Sequence, residues 1–152
     1  MQRPRVFVTR RIPESGIAVL RDSAEVEVWL DPLPPPREVF LEHVAEADGL
    51  LCLLTERIDA EVFERARRLR VVANMAVGYN NVDIAEATRR GIPVGNTPGV
   101  LTEATADLAV ALLLAAARRV VQGHNFAATG QWKTWDPIGH LGQELHGRTA
   151  GI

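Results

Sequence analysis

Short apolar segments alternate with helical segments over residues 5–94, and this alternation constrains the fold more than any other feature of the sequence. Leu50–Leu54 and Val71–Val77 are apolar along almost their whole length. A strand that is apolar on both faces belongs in a parallel sheet that helices cover on both sides. The alternation therefore predicts an α/β fold, namely a flavodoxin-like, doubly wound parallel sheet of about five strands.

Local signals predict where the individual elements begin and end. The predicted strands are Arg5–Thr9, Glu25–Trp29, Leu50–Leu54, Val71–Val77 and Ile92–Val94. The predicted helices are Pro13–Arg21, Glu38–Ala47, a helix capped by Asp59, Asp83–Arg90 and Leu101–Val121. Pro13 suits a first helical position, Asp59 an N-cap and Gly91 a C-cap. Glu25–Trp29 alternates between polar and apolar residues, which is typical of a half-exposed edge strand.

The sequence changes character after Asn96–Gly99, where the strand and helix alternation stops. Leu101–Val121 is rich in alanine and leucine and predicts one long helix. Its apolar surface is too wide for one flank of a small domain. We therefore expect this helix to lie between two bodies, either two domains or two subunits.

Charge and composition exclude some classes of function. The formal net charge of −2 and the pI of about 6.1 provide no basic surface for a nucleic-acid partner. Cys52 is the single cysteine and the histidines lack ligand spacing, so we expect no metal site. The longest apolar run, residues 108–117, is shorter than the roughly 20 residues that cross a bilayer. With no secretory signal visible, we expect a cytoplasmic protein without a membrane partner.

The loop Met75–Asp83 is the best candidate for a ligand site. It follows a buried strand and precedes a short helix, and Gly78 allows the backbone to approach a ligand closely. Exposed N–H groups in such a loop can hold a small carboxylate. The residues alone leave an alternative open, an ordinary turn in which Asn81 or Asp83 caps the next helix. They offer no complete catalytic set, and neither GxGxxG nor GxxxxGK[ST] occurs.

Ordered motifs along the chain point to one family. Residues 74–99 run from Asn-Met-Ala-Val-Gly-Tyr-Asn-Asn-Val-Asp to Gly-Ile-Pro-Val-Gly-Asn-Thr-Pro-Gly and closely resemble the D-isomer-specific 2-hydroxyacid dehydrogenases. Residues 101–119 extend the resemblance into the interdomain helix of that family. The opening Val8–Pro13 and the loop Gly130–Trp135 resemble its glyoxylate/hydroxypyruvate reductase branch, which includes glycerate dehydrogenases. The resemblance covers essentially all of the chain.

The resemblance implies roles for particular residues. Main-chain N–H groups of Val77 and Gly78 would bind the substrate carboxylate, and Val77 and Thr102 would approach the nicotinamide end of NADPH or NADH. Trp135, or failing it Trp132, would reach the active site of a second subunit, the alternative being interface packing. The implied substrate-binding residues are Leu54, Thr55, Ala76, Val77, Gly78, Leu101 and Trp135, and the implied cofactor-binding residues are Val77 and Thr102.

The resemblance also implies a division of the chain. Residues 1–98 would form the flavodoxin-like substrate-binding domain. Residues 99–152 would form the interdomain and dimerisation helix, its loop and the start of an NAD(P)-binding Rossmann domain. The sequence ends before the family's glycine-rich loop and its catalytic arginine, acidic residue and histidine, so we expect no catalytic residue in this chain. We further expect the chain alone to be inactive and the parent protein to be a homodimer through residues 102–140.

The implied activity is hydride transfer from NAD(P)H to a small 2-keto acid. The branch favours glyoxylate and hydroxypyruvate, which would yield glycolate and D-glycerate. One alternative is a parent dehydrogenase specific for phosphoglycerate or D-lactate. Another is a non-catalytic module that binds substrate and dimerises. The residues do not decide between NAD and NADP, because that preference depends on the cofactor domain.

Overall fold

A five-stranded parallel sheet forms the centre of the first of two compact units in this computed structural model, which describes residues 3–151. The first unit ends at Val100 and the second begins at Leu101. The strands are β1 (Arg5–Val8), β2 (Glu25–Val28), β3 (Gly49–Cys52), β4 (Val71–Asn74) and β5 (Val94–Gly95). Their order, β2-β1-β3-β4-β5, is that of a flavodoxin-like sheet, so the predicted fold class is confirmed.

The helices of the first unit are α1 (Glu14–Ser23), α2 (Arg37–Ala45), α3 (Ala60–Arg65) and α4 (Ile84–Arg89). The predicted N-cap is confirmed, because Asp59 accepts a hydrogen bond from the amide of Val62. Of Asn81 and Asp83, the two caps left open by the sequence, it is Asp83 that caps α4 by accepting from the amide of Glu86. Gly91 follows α4 with a φ of 67°, the left-handed conformation in which glycine commonly ends a helix.

Both faces of the sheet are covered. Phe7 and Val8 point to opposite faces of β1, and both are buried. One apolar cluster joins the sheet to α2 and α3 through residues that include Phe40, Val62 and Phe63. The strand β2 lies at the edge of the sheet with alternating exposure, as its sequence predicts.

All five strands are shorter than predicted, and hydrogen bonds explain the early ends of β3 and β4. The strand β3 ends at Cys52 rather than Leu54, because the amide of Leu53 leaves the ladder and donates to the carboxylate of Glu56. The strand β4 ends at Asn74 rather than Val77, because the chain turns when the amide of Ala76 donates to the carbonyl of Asn74. Apolar residues thus continue past the strands into loops, which a pattern of hydrophobicity alone does not reveal.

The prediction of one helix over 101–121 is wrong. The second unit contains α5 (Thr102–Ala117) and α6 (Val120–Ala128), and Arg119 between them is left-handed, with a φ of 54°. The amide of Gln143 donates to the carbonyl of Ala117 at 2.7 Å, so the last turn of α5 is held by a later part of the chain. A Cβ atom at Gly142 would lie 2.7 Å from the same carbonyl oxygen, so this approach requires glycine.

Neither α5 nor α6 buries a residue within the described chain. Their large apolar side chains are exposed, for example Leu108 at 59% and Leu112 at 61%. That a second domain or subunit covers this surface stays a prediction. The roles given to residues 1–98 and 99–152 also stay predictions. Residues 149–151 form no regular element, and Met1, Gln2 and Ile152 lie outside the described residues. Over residues 3–151, no helix has both the length and the apolar character to cross a membrane.

Candidate functional site

The loops that follow β1, β3 and β4 all lie at the carboxyl ends of the parallel strands. Doubly wound sheets bind their ligands at this end. Of the predicted site residues, Leu54, Thr55, Val77 and Gly78 lie exposed in the loops after β3 and β4. Ala76 lies in the same loop as Val77, but its side chain is buried. The first unit thus places the loops after β3 and β4, which hold these predicted site residues, at the same end of the sheet.

The peptide planes before and after Val77 are held by their carbonyl groups. The carbonyl of Ala76 accepts a hydrogen bond from the amide of Thr97 at 2.9 Å. The carbonyl of Val77 accepts one from Nδ2 of Asn96 at 2.7 Å. In a trans peptide the N–H group points opposite to the carbonyl of its own plane, and the chain contains no cis peptide among its described residues. The N–H groups of Val77 and Gly78 therefore both point away from residues 96–97.

The next peptide plane is held from within the sheet. Nδ2 of Asn74, a buried side chain at the end of β4, donates to the carbonyl of Gly78 at 2.9 Å. None of the hydrogen bonds within residues 3–151 uses the N–H of Val77, Gly78 or Tyr79 as donor. Adjacent main-chain N–H groups without a protein acceptor suit a small anion such as a carboxylate.

Asn81 joins this loop to the loop after β3. Its Nδ2 donates to the carbonyls of Leu53 and Glu56, both at 3.0 Å. Its Oδ1 accepts from Nδ2 of Asn74 at 3.0 Å. One side chain therefore fixes the position of residues 53–56 relative to the loop that carries the free amides.

A buried carboxylate lies beneath Leu54 and Thr55. Glu56 accepts hydrogen bonds from the hydroxyl of Thr9 at 2.7 Å, the amide of Leu53 at 2.8 Å and the hydroxyl of Thr55 at 2.6 Å. The guanidinium group of Arg10 lies 3.6 Å from the same carboxylate. This network ties the loop after β3 to the end of β1.

The first unit supplies no histidine to these loops. The ring of His43, its single histidine, stacks on Phe7 with 4.9 Å between centroids and contacts Glu27. Over the described residues, no group of three or more His, Cys, Asp or Glu side chains is arranged to hold a metal ion. The free main-chain amides are the groups of this arrangement that can bind and orient a small anion.

The remaining predicted residues belong to the second unit. Leu101 directly precedes α5, Thr102 is its first residue, and Trp135 is 77% exposed. A groove in this unit is lined by residues that include Phe126, Trp132 and His140. The prediction that Leu101, Thr102 and Trp135 act together with Val77 stays a prediction.

Sequence reasoning missed the residues that hold the loops in place, namely Glu56, Asn74 and Asn96, and it weighed Asn81 only as a helix cap. Asparagine in a predicted turn is ordinary, because its side chain bonds readily to nearby backbone. In the sequence, Glu56 looks the same as an ordinary solvated glutamate in a loop. No spacing in the sequence could have distinguished these side chains from their neighbours.

The fold is that of a doubly wound α/β domain, and main-chain amides without a protein acceptor lie in the loop at the carboxyl end of β4. Residues 6–145 match the family model described as D-isomer specific 2-hydroxyacid dehydrogenase, catalytic domain. The chain belongs to this family, and the resemblance noted from its motifs is confirmed.

Curated relatives and solved structures agree with this placement. The chain is 58% identical to a glyoxylate reductase of Pyrococcus horikoshii, over 99% of the chain and 46% of the relative. It is 55% identical to a glyoxylate reductase of Korarchaeum cryptofilum over the same shares. The chain spans about half the length of these curated relatives.

Among solved structures, a protein from Thermus thermophilus superposes with a TM-score of 0.89 at 50% identity, over 93% of this chain and 45% of that one. An NADPH-dependent glyoxylate/hydroxypyruvate reductase from Sinorhizobium meliloti, in complex with NADP and malonate, gives a TM-score of 0.66 at 28% identity. That match covers 91% of this chain and 43% of the reductase.

Proposed function

We propose that this chain is the substrate-binding part of an oxidoreductase that transfers a hydride from NAD(P)H to a small 2-keto acid, with glyoxylate and hydroxypyruvate as the favoured substrates. The observation that carries the proposal is the pair of free N–H groups at Val77 and Gly78, both pointing away from residues 96–97. High identity to curated glyoxylate reductases supports the choice of substrates. The Sinorhizobium reductase is in complex with malonate, which supports a site for small carboxylates in the family.

In this proposal the substrate carboxylate accepts hydrogen bonds from the amides of Val77 and Gly78. Hydrogen bonds to a charged group are stronger than neutral ones, so two of them fix the orientation of the keto acid. Leu54 and Thr55 form the wall of the pocket on the side of β3, and Leu101 is the residue that we assign near the reacting carbon.

The cofactor supplies the hydride, and the fit of this chain to it is partial. The exposed side chain of Val77 offers an apolar surface to the nicotinamide ring, and Thr102 is the second residue that we assign there. The chain contains no GxGxxG loop for the dinucleotide phosphates. In this proposal NADPH or NADH is held mainly by a further domain, which also supplies the proton donor.

The assay for this proposal is NADH and NADPH oxidation by the protein purified from its own gene. Glyoxylate and hydroxypyruvate should give the highest kcat/KM, with pyruvate and phosphohydroxypyruvate as comparisons. Preference for either comparison substrate would move the assignment to D-lactate or phosphoglycerate specificity. No oxidation with any 2-keto acid would refute the proposal. The 152-residue chain alone should show no turnover, and activity of that chain would contradict the role given to a further domain.

The substitution Gly78→Val tests the carboxylate site. A Cβ atom at Gly78 would meet only Oδ1 of Asn80, at 3.2 Å, so the fold has room for a side chain that nevertheless crowds the amides. We expect a higher KM for the keto acid. The control is Gly16→Ala, because Gly16 lies in α1 and outside the loops of the site. A Cβ atom there meets only the end of the flexible Ile12 side chain, at 3.3 Å. An unchanged KM would remove residues 77–78 from the substrate site.

We also propose that the parent protein is a homodimer through residues 102–140, with Trp135 reaching the neighbour's active site. The exposed apolar surface of α5 supports the dimer, since contiguous apolar surface on one unit favours association. Light scattering should give twice the chain mass of the purified protein, and a monomer would contradict the proposal. Trp135→Ala should alter substrate preference, whereas loss of the dimer alone would assign Trp135 to packing.

A further inference from the structure

We propose that Asn96 is a positioning residue, whose side-chain amide aims the N–H group of Gly78 at the substrate carboxylate. This inference rests on the proposed function, because it concerns the same pair of amides. It gives a role to a residue that lies within the quoted motif of residues 74–99 but is not among the predicted site residues. The residue acts on the peptide plane between Val77 and Gly78.

The two neighbouring planes of the carboxylate site are held by different kinds of group. The plane between Ala76 and Val77 is held by a main-chain donor, the amide of Thr97. The plane between Val77 and Gly78 is held by a side chain, because its carbonyl accepts from Nδ2 of Asn96 at 2.7 Å. A substitution at residue 96 therefore releases one plane and leaves the other in place.

The released plane would rotate easily because of the glycine that follows it. Gly78 has no Cβ, so a large change in its φ carries little steric cost. A peptide plane that rotates carries its N–H group away from the direction set by its carbonyl. The hydrogen bond from Asn96 removes this freedom, so the N–H of Gly78 is already directed before a substrate binds.

The fold itself does not need this hydrogen bond. Val77 is half exposed, so its carbonyl can accept from water if Asn96 is replaced. Asn96 is only partly buried and its side chain makes no other hydrogen bond within residues 3–151. Its replacement should therefore change the direction of one N–H group without unfolding the domain.

The experiment compares Asn96→Asp with Asn80→Asp in the protein purified from its own gene. Both variants add one negative charge near the same loop. Only Asn96→Asp removes a donor, because the exposed side chain of Asn80 donates no hydrogen bond within the described residues. Loss of one directed hydrogen bond to a charged group should raise KM for glyoxylate about tenfold beyond the effect of Asn80→Asp. We expect kcat to stay within about twofold, as for a loss of uniform binding.

The uncharged pair Asn96→Ala and Asn80→Ala gives the second measurement, with melting temperatures recorded for all four variants. A higher KM for both Asn96 variants at unchanged melting temperature supports the positioning role. A KM equal to that of the Asn80 variants overturns it. A parallel loss of melting temperature and of kcat also overturns it, because that result assigns Asn96 to the fold.

An NMR titration with oxamate, a non-reacting analogue of a 2-keto acid, separates this inference from the proposed function. In the unaltered protein the amide resonances of Val77 and Gly78 should both shift. In Asn96→Ala only the Val77 resonance should keep its full shift. No shift in the unaltered protein would refute the proposed carboxylate site, whereas equal shifts in both proteins would refute the role of Asn96 alone.

Discussion

Replacing Glu56 by alanine should destabilise the first unit strongly. Glu56 is 6% exposed, and its carboxylate accepts from the wholly buried hydroxyl of Thr9, from the amide of Leu53 and from the hydroxyl of Thr55. A buried donor that loses its acceptor costs about 1–3 kcal/mol, and Thr9 and Leu53 would both lose theirs. Arg10 would also lose its carboxylate partner, but its side chain is 20% exposed and keeps hydrogen bonds to Pro32 and Thr55, so this loss adds less. Because these costs describe one network, we expect a total of about 2–5 kcal/mol rather than the sum of separate costs.

Urea unfolding followed by circular dichroism measures this change, with Glu56→Gln and Glu38→Ala as controls. Glu56→Gln keeps the size of the side chain and one acceptor oxygen, so it should cost less than the alanine variant. Glu38 is exposed, and its substitution should stay within about 0.5 kcal/mol of the unaltered protein. A loss below about 1 kcal/mol for Glu56→Ala would refute the reasoning, because it would mean that the donors find other acceptors.

Three further predictions each concern one residue. Burial raises the pKa of the Cys52 thiol to about 12, so this thiol should resist a disulfide reagent in the folded protein and react after urea unfolding. Two neighbouring arginines lower the pKa of Glu86 from 4.5 to about 2, so its stabilising effect should be complete above pH 4.5 and disappear as the pH falls towards 2. In Glu86→Gln the free energy of unfolding should change less with pH between 4.5 and about 2. An unchanged slope would contradict the ion pairs between Glu86 and the two arginines. Gly91→Ala should cost about 1–2 kcal/mol in urea unfolding because its φ is 67°, whereas Gly95→Ala, without a positive φ, should cost less; equal costs would remove the backbone argument.

The strand and helix pattern predicts the first unit because each element carries its own signal. Alternation in Glu25–Val28 indicates an edge strand, and Asp59 and Asp83 mark the starts of α3 and α4. These signals depend on a few neighbouring residues. The sequence therefore predicts the order of elements well, and their ends less well.

The break between α5 and α6 depends on residues distant in the sequence. Arginine is a good helix former, so Arg118 and Arg119 contain no signal for an end. The cause lies at Gly142 and Gln143, which approach the carbonyl of Ala117. A contact between segments this far apart cannot be derived from a local pattern.

The candidate site shows the same limit. The resemblance to a family identifies the loops that hold Leu54, Thr55, Val77 and Gly78. It does not reveal that Asn96 holds one peptide plane, because the orientation of a carbonyl depends on the folded loop. Which atoms hold an amide in place becomes visible only in three dimensions.

The amides at residues 77 and 78 have a consequence for how such a protein can diverge. Every amino acid except proline carries the same N–H group, so a point mutation at Val77 can change the pocket wall and leave that donor intact. Leu54, whose exposed side chain forms part of the opposite wall in our proposal, can change in the same way. In our proposal, recognition of the carboxylate that all candidate substrates share is thus separated from recognition of the part in which they differ. On that proposal, single codon changes at Val77 or Leu54 would alter substrate preference and leave the carboxylate site intact.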